Sequence, residues 1–89
     1  MKIKENFILR KIAGDDVVVP IGENIADFNG VITLNETAAL LWKELETGST
    51  REELKTSLCK EYDVPEEKAY KDIDKFVNIL KEHGILEGE

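Results

Sequence analysis

The first part of the chain contains short apolar runs separated by turn-forming residues, a pattern typical of β-strands. Residues 7–13 are mostly apolar, and residues 17–19 form a β-branched run of three valines. The Gly14-Asp15 pair between them favours a turn, so the two runs predict a hairpin. Pro20 lacks a backbone N–H, and we expect it to end the second strand or to lie on an outer edge.

A third strand is predicted directly before the pattern changes. Asn29-Gly30 tolerates the positive φ angles of a two-residue hairpin turn. The apolar run that follows it is the predicted strand and consists of Val31, Ile32, Thr33 and Leu34. An antiparallel sheet of three strands therefore occupies the first part of the chain.

From Asn35 onward the apolar residues recur at helical spacing. Asn35 is a suitable N-cap, and Gly48 is expected to end the first helix. The apolar face of this helix comprises Ala38, Leu41, Trp42 and Leu45. We expect Trp42 to be a core residue and a fluorescence reporter, since it lies on that face.

Two further helices follow after short connections. Thr50 and Glu53 have capping-box spacing at the start of a second helix, which ends near Asp63. Pro65 suits the first turn of a third helix, and Gly84 closes it. The predicted fold class is α+β, with a three-stranded antiparallel sheet followed by three helices. We expect residues 1–89 to form a single domain, because a chain of this length supports one core.

Composition and charge narrow the classes of partner. Twelve basic and nineteen acidic residues give a net charge of −7, which disfavours nucleic acid and anionic membranes as partners. No apolar run is long enough to cross a bilayer, and the N-terminus lacks the apolar stretch of a signal peptide. A cytoplasmic location is the expectation.

The residues that usually carry catalysis are scarce and far apart in the sequence. The single cysteine, Cys59, continues the apolar face of the second helix, and we interpret it as a small core residue. The single histidine, His83, lies at the end of the third helix, where a cation interacts favourably with free carbonyl groups. The six glycines form no phosphate-binding motif. We therefore expect no enzyme activity, no bound metal and no cofactor.

An ordered set of short motifs carries a resemblance to a known family. The motifs are Gly30-Val31-Ile32-Thr33-Leu34-Asn35-Glu36-Thr37-Ala38, Leu41-Trp42, Thr50-Arg51-Glu52-Glu53-Leu54, Glu61-Tyr62-Asp63-Val64 and Gly84-Ile85-Leu86. At this spacing the sequence closely resembles the PqqD-like family, named for coenzyme PQQ synthesis protein D. The resemblance spans nearly the whole chain and is specific for the family rather than for a substrate.

The resemblance implies a fold and a function. The family has a winged helix-turn-helix-like fold and recognises the leaders of ribosomally synthesised precursor peptides, often for a radical S-adenosylmethionine maturase. The leader is expected to add a fourth strand between the third strand and the third helix. The predicted peptide-binding residues are Val31, Ile32, Thr33 and Leu34 on the strand, with Tyr70, Ile73, Asp74, Val77 and Lys81 on the helix. Any iron–sulfur cluster or cofactor would belong to the enzyme partner.

Two alternatives have different partners. Three helices beside a small sheet also describe a winged-helix transcription factor, but the third helix mixes lysines with carboxylates and forms no basic stripe. The other alternative is a general protein-interaction domain with unrelated partners. The oligomeric state stays open.

Overall fold

The strands and helices occur in the predicted order. The computed structural model describes residues 1–21 and 32–87. The elements are β1 (Lys2–Ile3), β2 (Phe7–Ile12), β3 (Asp15–Pro20), β4 (Ile32–Leu34), α1 (Glu36–Glu46), α2 (Arg51–Glu61), α3 (Glu66–Glu82) and β5 (Leu86–Glu87). The α+β fold class is confirmed. The predicted turn at Asn29-Gly30, and Val31 after it, lie outside the described residues.

The main sheet is antiparallel with the strand order β2-β3-β4. The hairpin between β2 and β3 turns at Ala13 and Gly14, because Ile12 pairs with Asp15. Both turn residues have positive φ, 52° and 87°, as a type I′ turn requires. The turn predicted at Gly14-Asp15 was wrong by one residue. Asp15 starts β3, and Ala13 takes the other turn position although alanine rarely adopts positive φ.

The helix starts agree with the sequence. The Asn35 side chain accepts a hydrogen bond from the N–H of Ala38 at 2.9 Å and so caps α1. Thr50 and Glu53 form the predicted capping box at the start of α2. Each cap satisfies backbone N–H groups that the first helical turn leaves unpaired, which fixes where the helix begins.

The helices pack on the inner face of the sheet and bury one hydrophobic cluster. Trp42 is fully buried, which confirms its predicted core position, and its Nε1 donates a hydrogen bond to Glu46. Cys59 is only half-buried, although it packs against the cluster. The fully buried large side chains are Trp42, Leu41, Leu45, Leu54, Leu58, Ile73, Leu80, Ile85 and Val18.

A second, two-stranded sheet joins the two ends of the described chain. β1 pairs with β5 in antiparallel register, with Ile3 opposite Leu86. The N–H of Lys4 also donates to the carbonyl of Ile85 at 2.9 Å. The sequence did not predict either strand, because two residues are too short for a periodic pattern. The pairing holds the residues after α3 against the start of the chain.

Truncating a core side chain should cost far more stability than truncating an exposed one. Leu80 is fully buried on α3, whereas Ile12 is 50% exposed at the end of β2. We expect Leu80→Ala to lower the free energy of unfolding by about 2–5 kcal/mol and Ile12→Ala by roughly 0.5 kcal/mol or less. Urea unfolding followed by Trp42 fluorescence measures both, and equal losses would contradict the assigned core.

Candidate functional site

A groove with a volume of about 540 Å³ runs between β4 and α3. Its wall on one side is β4, and its wall on the other is one flank of α3. The N-terminal half of α1 and the connection between α2 and α3 contribute the remaining surface. The lining residues are Ile32, Thr33, Leu34, Asn35, Thr37, Ala38, Leu41, Tyr62, Val64, Lys68, Asp72, Lys75, Phe76 and Ile79. Most of them are apolar, so the groove suits an apolar ligand surface.

The phase of the hairpin determines which backbone groups of β4 face this groove. The N–H of Ile21 donates to the carbonyl of Asn6 at 2.9 Å, which makes these two residues a hydrogen-bonded pair. From this pair onward, non-hydrogen-bonded and hydrogen-bonded pairs alternate along β2 and β3. Val17 therefore bonds to β2, while the N–H and C=O groups of Val18 point away from β2. Val18 is paired with Ile32 of β4. Ile32 consequently bonds to β3, and the N–H and C=O of Thr33 point to the outer edge.

The outer edge of β4 has no strand partner within residues 1–21 and 32–87. Unpaired N–H and C=O groups at a sheet edge can form hydrogen bonds with another extended segment. Thr33 provides one donor and one acceptor for such a segment. Its own side chain is exposed, whereas Leu34 is buried and Ile32 half-buried on the core side. The edge therefore combines main-chain hydrogen bonding with an adjoining apolar surface.

Much of the apolar surface of the groove comes from α1, α3 and the connection that follows α2. Leu41 and Phe76 are buried and link the groove to the core. Tyr62 and Val64 follow α2, where the N–H of Val64 bonds to the carbonyl of Tyr62 at 2.8 Å. This tight connection places both side chains against the core and beside α3. An extended segment in the groove would contact these apolar side chains through alternate residues.

The charged residues that line the groove all lie on α3. Lys68 and Asp72 form an ion pair one helical turn apart, with 3.7 Å between Nζ and Oδ2. Lys75 is the third charged lining residue and is exposed. From Lys68 to Ile79 the helix rises about 16 Å, which equals the length of about five residues of an extended chain.

The predicted helix residues lie on the other flank of α3. Ile73, Asp74, Val77 and Lys81 line a second depression beside the start of α2, and none of them lines the groove next to β4. Tyr70 lies under the guanidinium of Arg51, 4.1 Å from the ring centroid. The structure thus separates these five residues from Ile32, Thr33 and Leu34, which do line the groove. Peptide binding by the five remains a prediction that the geometry beside β4 does not favour.

Burial explains the placement of this flank. Ile73 and Val77 are buried in the core cluster. Asp74 forms hydrogen bonds with Arg51 of α2. Arg51 donates two hydrogen bonds to Asp74, from Nε at 2.7 Å and from Nη2 at 2.8 Å. The predicted peptide-binding residues did not include Lys68, Asp72, Lys75 or Ile79, which line the groove. Their spacing at i, i+4, i+7 and i+11 marks them as one face, but not as the face beside β4.

The side chains that could bind a metal ion are dispersed over the described part of the chain. No three His, Cys, Asp or Glu side chains of these residues lie close enough together to hold a metal ion. His83 Nδ1 lies 2.9 Å from the carbonyl oxygen of Ile79, at the end of α3. None of the described helices has the length and apolar character needed to span a membrane.

The fold and the groove define a small α+β domain with an open sheet edge beside a helix. Residues 7–86 match the family described as coenzyme PQQ synthesis protein D (PqqD). The chain belongs to the PqqD family, which confirms the resemblance found in its motifs. Comparison with curated protein sequences gives no significant match.

Two similar solved structures are complexes with peptides. One is TbiB1 in complex with the TbiA(beta) leader peptide, with 25% sequence identity and a TM-score of 0.80 over 100% of this chain and 98% of that one. Another is lasso peptide synthetase B1 complexed with the leader peptide, with 26% identity and a TM-score of 0.74 over 94% of this chain and 93% of that one. These neighbours share the fold over almost the whole chain.

The Arg51–Asp74 pair should be visible in the titration of Asp74. The hydrogen bonds from Arg51 hold the pKa of Asp74 below its ordinary value. The pair therefore stabilises the fold at pH values above the ordinary pKa of an aspartate, and this contribution is lost as the pH falls through the lowered pKa. We expect Arg51→Ala to raise the pKa of Asp74, measured by NMR titration of the carboxyl carbon. Arg10→Ala, which removes an exposed arginine from β2, is the control. An Asp74 pKa that is the same in wild type and Arg51→Ala would contradict the assignment.

Proposed function

We propose that this protein is a peptide-binding adaptor that holds the leader of a ribosomally synthesised precursor peptide for a modifying enzyme. The observation that carries the proposal is the groove of about 540 Å³ beside the open edge of β4. A backbone edge gives affinity for any extended peptide, and the adjoining groove selects side chains at alternate positions. The two similar complexes with leader peptides support the same ligand class.

The leader adds a strand to β4 in this mechanism. Thr33 exchanges hydrogen bonds with one leader residue through its N–H and C=O. The neighbouring leader residues direct alternate side chains towards Phe76 and Ile79, on the flank of α3 that lines the groove. This assignment keeps the predicted strand residues Ile32, Thr33 and Leu34 as the peptide-binding edge. It replaces the predicted helix flank with the one that contains Lys68, Asp72, Lys75, Phe76 and Ile79.

The adaptor needs no catalytic group of its own. Binding one end of a precursor raises the effective concentration of its remaining residues at the active site of an enzyme that the adaptor also contacts. We assign that enzyme to the radical S-adenosylmethionine maturases, on the resemblance to the PqqD-like family. The iron–sulfur clusters and cofactor then belong to the enzyme. Because ribosomes make the precursor in the cytoplasm, we expect the adaptor to act there.

The direct test of the proposed function is a calorimetric titration with synthetic leader peptides encoded by short reading frames next to the gene. We expect one leader to bind saturably with a Kd in the micromolar range or below, and its scrambled sequence not to bind. Failure of every encoded leader to bind would overturn the adaptor role.

Thr33→Pro tests whether the leader binds by strand addition. Proline removes the N–H that points to the outer edge, and its ring occupies the space that the leader backbone needs. The bonds of Ile32 and Leu34 to β3 remain, and Ile32 is already extended, as a residue before proline prefers. We expect the domain to fold and leader binding to be lost, or weakened roughly tenfold or more.

Thr33→Ala is the matched control for this prediction, since it removes the same side chain but retains the N–H. It should bind the leader nearly as well as the wild type in the same calorimetric titration. Circular dichroism establishes that both variants fold. Unchanged affinity in a folded Thr33→Pro variant would rule out strand addition at β4.

A further inference from the structure

The groove differs in charge from the rest of the protein. The chain as a whole carries a net charge of −7. The charged residues that line the groove are Lys68, Asp72 and Lys75, so the lining has two cations and one anion. A local excess of positive charge in an acidic protein favours an anionic ligand segment at that place.

Lys75 is the source of this excess. Lys68 is neutralised by its ion pair with Asp72. No carboxylate of the described residues lies within 4.0 Å of the Lys75 ammonium group, and Lys75 is exposed beside the buried Phe76. A solvated lysine on a helix surface is the usual interpretation of such a residue. Lys75 lines the groove without such an ion pair, whereas Lys68 is paired with Asp72 and Lys71 does not line the groove.

We propose that Lys75 selects leaders that carry a carboxylate side chain two residues away from an apolar one. The inference rests on the proposed function and names the ligand chemistry of the same groove. Lys75 and Ile79 are one helical turn apart, about 6 Å along the axis, and residues i and i+2 of an extended peptide are separated by a similar distance. The carboxylate pairs with Lys75 while the apolar side chain two residues away packs on Ile79.

A display library of random dodecapeptides tests this selectivity without knowledge of the natural leader. The purified wild-type protein is expected to enrich peptides with Asp or Glu two residues from an apolar residue. Lys75→Glu should instead enrich Lys or Arg at that position, and Lys75→Gln should show no charge preference there. Lys71→Glu is the matched control, because Lys71 is an exposed lysine of α3 that does not line the groove. It should retain the wild-type preference.

A charge-swap titration makes the result quantitative. One selected peptide and its Glu→Lys counterpart are titrated by calorimetry into each variant. We expect the wild type to bind the acidic peptide roughly tenfold more tightly than its Glu→Lys counterpart. The Glu→Lys change replaces attraction between the peptide carboxylate and the exposed Lys75 by repulsion between two cations. Lys75→Glu should invert this preference, and raising the salt concentration should reduce it in both proteins.

The outcomes separate this inference from the proposed function. Selected peptides that bind the wild type, fail to bind Thr33→Pro and show the same charge preference in Lys75→Glu would overturn the role of Lys75 alone. The absence of saturable peptide binding, or binding that Thr33→Pro does not weaken, would overturn both. Inverted preference in Lys75→Glu, with the wild-type preference kept in Lys71→Glu, supports the proposal.

Discussion

The site depends on how α3 is oriented about its own axis. Ala69, Ile73 and Leu80 are fully buried, and this stripe fixes which side of the helix meets the core. The two flanks next to the stripe then face different neighbours. One flank meets β4 and lines the groove, and the other meets α2 through the Arg51–Asp74 pair. The burial of apolar surface therefore determines the groove before any ligand contact is considered.

A second constraint comes from the hairpin. A two-residue turn sets the alternation of hydrogen bonds along β2 and β3, and the alternation continues into β4 through the register of Val18 with Ile32. The backbone of Thr33 faces outward for this reason and not because of its side chain. β4 is short, with three described residues, and α3 lies beside it. A short edge next to a helix limits unwanted pairing with other chains while it leaves room for one peptide.

These two constraints also explain how the proposed site can hold a peptide. Main-chain hydrogen bonds to one edge residue contribute modest and sequence-independent affinity. In the proposed mechanism selectivity comes from the groove, whose lining offers apolar residues and Lys75 to alternate side chains of the peptide. The mixed charges of α3 are poorly suited to a phosphate backbone, which needs several cations on one surface. The same helix is well suited to distinguish one peptide from another.

The sequence by itself determined the local structure of this protein. Helical spacing and the caps at Asn35 and Thr50 located the helix starts, and the β-branched run located β3, because these signals involve residues close together in the chain. Only the tertiary structure determined which flank of α3 faces β4. Both flanks border the same apolar stripe and both carry charged residues, so periodicity cannot distinguish them. The β1–β5 pairing was also beyond the sequence, since contacts between the two ends of the chain leave no local pattern.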